Sequence, residues 1–132
     1  MGGVVLLIGW LGLMAVTPLI QAAPDIVETA LRLEEQGRSD DALLVLEEGY
    51  GADRRQPGIL FHLGRLNALA GNASRAVELL GSLEPSMPED KRLHWYLGLA
   101  WEDLGDDERS ALSYGRALHA DTHFVPARVR RG

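Results

Sequence analysis

Along residues 26–36 the apolar positions are Ile26, Val27, Ala30, Leu31 and Leu33, spaced by three and four so that they share one face of a helix. Gly37 follows, a residue that takes the left-handed backbone favoured at a helix stop. Ser39 is then the expected N-cap of a second helix carrying Ala42, Leu43, Leu46 and Tyr50. The pattern returns twice. Leu60, Leu63, Gly64 and Leu66 lead to Gly71, and Asn72 is expected to cap a helix holding Ala76, Leu79, Leu80 and Leu83. Leu97, Gly98, Ala100 and Trp101 lead to Gly105, and Asp106 caps a last helix with Ala111, Tyr114, Ala117 and Leu118. Gly51 and Pro57 mark one boundary, Pro85 and Pro88 the other, because proline does not continue a helix interior. No stretch alternates with period two for long enough to make a strand, so the expected class is all-α.

The three hairpins are in register. Gly37, Gly71 and Gly105 are separated by 71 − 37 and 105 − 71, both 34 residues. Small residues keep the same step at Ala30, Gly64 and Gly98, and again at Ala42, Ala76 and Ser110. A fixed period of this size marks a repeat array. Two helices joined by a short turn approach closely only where side chains are small. The first small series is therefore expected to face the second across each hairpin. Leu33, Trp101, Leu46, Leu80 and Tyr114 are expected to fill the gaps between neighbouring hairpins. A lone hairpin would not stand. Ordering one unit costs about 50 kcal/mol at roughly 1.5 per residue, which needs about 2,000 Å² of apolar burial, and only stacking approaches that area.

These residues resemble tetratricopeptide repeats. Trp95-Tyr96-Leu97-Gly98, Gly105-Asp106, Tyr114 and Ala117-Leu118 carry the likeness in the third unit. Leu63-Gly64, Gly71-Asn72, Ala76 and Pro88 carry it in the second, although Asn67 stands where the family prefers an aromatic and Leu83 where it prefers alanine. The first unit keeps Gly37 and Ala42 but has Thr29-Ala30 for Leu-Gly and Gly49 for alanine. The resemblance implies an α-solenoid of three antiparallel hairpins, at about residues 24–56, 57–90 and 91–122, with residues 123–132 as a tail or partial cap. It further implies a right-handed superhelix whose concave face is lined by the first helix of each hairpin. A protein or peptide partner is expected there, against Val27, Leu31, Phe61, His62, Arg65, Leu69, Trp95, Tyr96 and Leu99, with Glu34 and Glu102 nearby. Phe61 and Trp95 have a second reading, as packing between adjacent hairpins. Some members of the family clamp a terminal carboxylate with Lys, Arg and Asn. Here Val27 and Leu31 occupy that part of the groove and leave only Arg65 and Arg92, so a mixed or apolar peptide is the better fit.

Composition adds an address. Residues 1–24 hold no charged side chain, and positions 4–20 are almost continuously apolar. Seventeen residues rise about 26 Å as a helix, slightly short of a bilayer core of about 30 Å. Gln21-Ala22-Ala23 are residues of the kind that precede signal cleavage, so residues 1–23 read as a signal peptide, or alternatively as a retained membrane anchor. Either reading puts the helical array in an extracytoplasmic space, periplasmic or secreted, or tethered on that side of the membrane. A net charge of −6 argues against nucleic acid, whose phosphates need clustered cations. The chain has no cysteine, hence neither disulfides nor thiolate metal sites.

Catalytic chemistry finds little footing. Glu34-Glu35, Asp40-Asp41, Glu47-Glu48, Glu102-Asp103 and Asp106-Asp107 are adjacent in sequence, and neighbours on a helix point about 100° apart rather than converging. His119 and His123 have a metal-compatible spacing with Asp121 between them, but they fall where the last helix ends and read better as loop residues. Asn72-Ala73-Ser74 matches a glycosylation acceptor and serves equally as a helix cap. The expected protein is a non-enzymatic scaffold without cofactor or metal. Residues 123–132 are short for a capping hairpin, so Phe124 and Val125 are expected to fold back, with self-association through the last hairpin as the other way to cover it.

Overall fold

The computed structural model describes residues 25–124, and six helices account for most of them. They are α1 (Ile26–Glu35), α2 (Ser39–Ala52), α3 (Pro57–Ala70), α4 (Ala73–Gly81), α5 (Lys91–Asp103) and α6 (Asp107–Ala120). Among the described residues there is no strand. The helices form three hairpins, α1–α2, α3–α4 and α5–α6, stacked in series. The second helix of each hairpin packs on the first helix of the next, and the first helices also touch one another, α1 with α3 and α3 with α5. Among the described residues no second helix touches another second helix. A stack that closes along one row and opens along the other must bend toward the closed row. The first helices therefore line the inner side of an α-solenoid.

Local chemistry explains the ends. The Asp25 carboxylate accepts the backbone N–H groups of Val27 and Glu28 at 2.8 and 3.1 Å. Gln56 accepts that of Ile59 at 2.8 Å, just ahead of Pro57 at the first helical position. Asp90 accepts those of Arg92 and Leu93 at 2.9 and 3.0 Å, and Asp106 accepts that of Arg109 at 2.9 Å. At the turns Gly37, Gly71 and Gly105 have φ of 76°, 88° and 79°. The N–H of the next residue then bonds the carbonyl five positions back, Arg38 to Leu33 and Asn72 to Asn67 at 2.8 Å and Asp106 to Trp101 at 2.9 Å. One backbone device thus makes all three turns.

Several expectations need correcting. Ser39 is the first residue of α2 rather than its cap, and Arg38 at the cap position offers no side-chain bond. Asn72 holds the cap position of α4 without capping it; its amide donates to Asn67 Oδ1 at 3.2 Å. The Asn67 amide in turn donates to the Leu63 carbonyl at 2.7 Å, so the polar residue at an aromatic position is buried with its bonds made. Helix α4 ends at Gly81, and Leu83 is buried from the turn beyond it. Ala111 and Leu118 are exposed because they lie on the outer side of α6.

Leu80 and Tyr114 also make close contacts inside their own hairpins. A Cβ on Gly64 would stand 2.6 Å from Leu80 Cγ, and one on Gly98 2.5 Å from the Tyr114 ring. Each large residue lies over the glycine of its own hairpin. Ser110 adds a buried bond from its hydroxyl to the Gly98 carbonyl at 3.0 Å. The core runs through all three hairpins, with Leu46, Leu63, Leu79, Leu80, Leu93 and Leu97 fully enclosed.

Candidate functional site

The inner row carries one connected strip of side chains. Glu34 on α1 and Arg65 on α3 form a two-pronged ion pair: Arg65 Nη1 donates to Oε2 at 3.0 Å and Nη2 donates to Oε1. The pair is only 13% and 20% exposed, sheltered enough to count as part of the hairpin interface. Arg65 also donates from Nε to His62 Nδ1 at 3.3 Å. That nitrogen therefore acts as an acceptor, and the ring is neutral. Burial together with the Arg65 cation pushes His62 down to a pKa of about 4; Arg92 adds to the shift and the Glu34 carboxylate opposes it. The ring of His62 meets the edge of Phe61 at 5.1 Å. Phe61 meets Tyr96 on α5 at 6.2 Å, and the Arg92 guanidinium lies over its face at 4.8 Å. Glu34, Arg65, His62, Phe61, Arg92 and Tyr96 thus tie α1, α3 and α5 together.

The structure sorts the expected groove residues. Phe61 and Leu99, at 4% and 5% exposed, are interior packing rather than contact surface. For Phe61 the reason is plain: the following hairpin covers it with Arg92 and Tyr96. Trp95 sits one period later, where no further hairpin follows among the described residues. It is half-buried against Tyr114 at 4.8 Å and Phe124 at 6.0 Å, so it faces α6 and the segment beyond it. Phe124 does fold back, with Lys91 Nζ 5.2 Å from its ring centre; Val125 and the tail arginines lie outside the described residues. Val27 is half-buried at the start of α3, its Cγ2 3.1 Å from where a Cβ on Gly58 would be. His62, Arg65, Leu69 and Tyr96 are half-buried, while Leu31 is 38% exposed and Glu102 is exposed. The accessible set is therefore Leu31, Leu69, Tyr96, Arg92 and Glu102. Arg92 has a side chain 57% exposed, which makes it the more available of the two expected cations, since Glu34 already occupies Arg65.

The Glu34–Arg65 pair escaped the sequence reading, yet the 34-residue register frames it. One period on, the same two positions are Ala68 and Leu99, both buried. The charged pair of the first junction is therefore not repeated at the second. The exposed Leu31 holds the corresponding position on α1.

The acidic pairs do not converge. Glu47 is bonded by Arg75 at 3.0 Å, Asp41 by Arg38 at 2.8 Å, and Asp106 serves as a cap. His119 lies within α6 and His123 beyond it, where Asp121 is held by Lys91 at 2.7 Å. The Lys91 bond and the His123 backbone N–H keep the Asp121 carboxyl below its ordinary range. Among the described residues no group of three or more His, Cys, Asp or Glu is placed to hold a metal. No described helix is long and apolar enough to cross a membrane; the apolar positions 4–20 lie outside the described residues.

The chain is similar to Cell division cycle protein 27 homolog A of Arabidopsis thaliana, 25% identical over 88 residues. The match takes in 67% of this chain but spans only 12% of that protein. No family model matches the chain. The likeness is to one short stretch of a much larger protein. With the stacked hairpins, it supports repeat-type helical architecture and, at most, a scaffold that holds other proteins.

Proposed function

We propose that the chain is a tetratricopeptide-type interaction module that binds a peptide or protein segment along the inner row of α1, α3 and α5. The strip from Glu34 to Tyr96 carries this reading. It fixes the spacing of three hairpins and leaves Leu31, Leu69, Tyr96, Arg92 and Glu102 as an open surface of mixed apolar and charged character. Such a surface suits a mixed peptide or an amphipathic helix. A two-cation carboxylate clamp fits poorly, because Arg65 is committed to Glu34 and only Arg92 is accessible. No catalytic role is assigned to any residue.

On this reading residues 1–23 export the module or tether it, and it serves an assembly task in the envelope or in a secretion complex. The second reading is a structural subunit that keeps its N-terminal segment as an anchor. N-terminal sequencing of the protein from its host separates them: a start near Ala23 excludes the anchor. The groove itself is tested by affinity capture from that host with Leu31→Asp and Arg92→Glu. Both side chains are open, so helicity should persist while capture is lost. Undiminished capture by the double variant would remove the inner row as the binding surface.

A further inference from the structure

The last helix, α6, reverses the usual order of a packed helix. Its buried residues are Ser110, Ser113 and Ala117, while Leu112 and Leu118 stand 56% and 44% exposed. One period earlier, the positions of Ser113 and Ala117 are held by Leu79 and Leu83, both buried, and those of Leu112 and Leu118 by Glu78 and Glu84. The third hairpin thus has small residues where the second has core leucines, and leucines where the second has glutamates. Glu108, Ala111, Gly115 and His119 are exposed too, and spacings of three and four put all six residues on one face. A Cβ on Gly115 would meet no atom within 4 Å, so another helix can approach closely there. A contiguous apolar face on the solvent side of a helix is a contact surface for protein.

We propose that this face joins two copies of the chain, with their α6 helices antiparallel about a two-fold axis. In such a pair, residue i faces residue j and j faces i. Glu108 with His119 and Leu112 with Gly115 are both centred between positions 113 and 114. A single axis therefore sets each carboxylate against an imidazole able to donate to it, and lays each leucine on a glycine that leaves it room. Leu118 then lies beside Ala111 of the second copy. A parallel pair would instead bring Glu108 against Glu108 and Leu112 against Leu112. The interface is one helix face on each side, so the dimer is weak and forms reversibly with concentration. It uses the outer row of helices and leaves α1, α3 and α5 open to a bound segment.

Sedimentation velocity of the full chain over a range of concentrations tests the proposal, with the helicity of each variant checked by circular dichroism. Leu112→Glu together with Leu118→Glu gives α6 the residue type found one period earlier at both positions. Both side chains are open, so the fold should stand while association weakens about tenfold or more. The chain has no cysteine, which allows a second test, of the geometry. Glu108→Cys together with His119→Cys should link two copies through disulfides on mild oxidation. The two positions are about 16 Å apart along one helix, so no disulfide forms within it. Either substitution alone should link far less, since 108 faces 119 and not itself. A wild-type chain that stays monomeric at every concentration overturns the proposal and leaves the face to a different protein. Association undiminished by the double glutamate variant, or either cysteine substitution linking alone as readily as the pair, overturns it as well.

Discussion

Changing Gly98 to alanine adds one methyl group where the ring of Tyr114 already lies. The new Cβ would stand 2.5 Å from two ring carbons and 3.0 Å from a third. Carbon atoms in ordinary contact are about 3.5–4.0 Å apart, so ring and helix must separate by about 1 Å. The ring has little room to retreat, because Trp95 lies tilted against it with the ring centres 4.8 Å apart. Moving α6 away from α5 also stretches the Ser110–Gly98 hydrogen bond beyond its present 3.0 Å. Overpacking costs about 1–3 kcal/mol and the strained bond about 1, while alanine returns about 1 through helix propensity. The net expectation is destabilisation by about 1–3 kcal/mol. Gly115 on α6 is the control, because a Cβ there meets nothing within 4 Å. Gly115→Ala should stabilise by about 0.5–1 kcal/mol. Urea unfolding of the full chain, followed by circular dichroism, should therefore move the two midpoints in opposite directions. If Gly98→Ala instead shifts the midpoint upward as Gly115→Ala does, the small residues at 30, 64 and 98 are not set by close helix approach.

Arg65→Leu alone leaves Glu34 half-buried without its partner and should cost about 1–3 kcal/mol. Adding Glu34→Ala removes the stranded carboxylate, leaves the residue types found one period on at positions 68 and 99, and should recover most of that loss in urea melts. His62 has a folded pKa of about 4, below its unfolded value of 6.5, so below 6.5 the unfolded chain binds a proton that the folded chain refuses. Its contribution is thus fully present above pH 6.5 and is lost as the pH falls from there toward 4; His62→Gln should flatten that part of a stability–pH curve. Leu63→Ala, at a position with no exposed surface, should cost about 2–5 kcal/mol in the same melts. Asn72→Ala removes the donor to Asn67 Oδ1 and should cost about 1 kcal/mol, with fraying of the α3–α4 turn visible in amide hydrogen exchange.

The features legible in the chain are those set by neighbours in sequence. Helical periodicity, the left-handed glycines at 37, 71 and 105 and the Asp106 cap depend on bonds spanning at most five residues, and the 34-residue register repeats them. That is enough to give hairpins, their number and their order. Which large residue covers which glycine depends on how far each helix is rotated about its axis, so the placing of Leu80 over Gly64 and of Tyr114 over Gly98 was not legible in the chain. The strip on the inner row depends on the offset between hairpins. Arg65 reaches Glu34 thirty-one residues away, and Phe61 is buried by Arg92 and Tyr96 of a later helix. His94 was unremarked in the sequence because only the folded 82–90 connection buries it, with its Nε2 2.7 Å from the Pro88 carbonyl oxygen. Sequence alone set the local bonds, whose partners lie within a turn or two. Tertiary structure alone decided the contacts between helices, because their energies depend on axial rotation and stacking offset, which no short stretch of residues specifies.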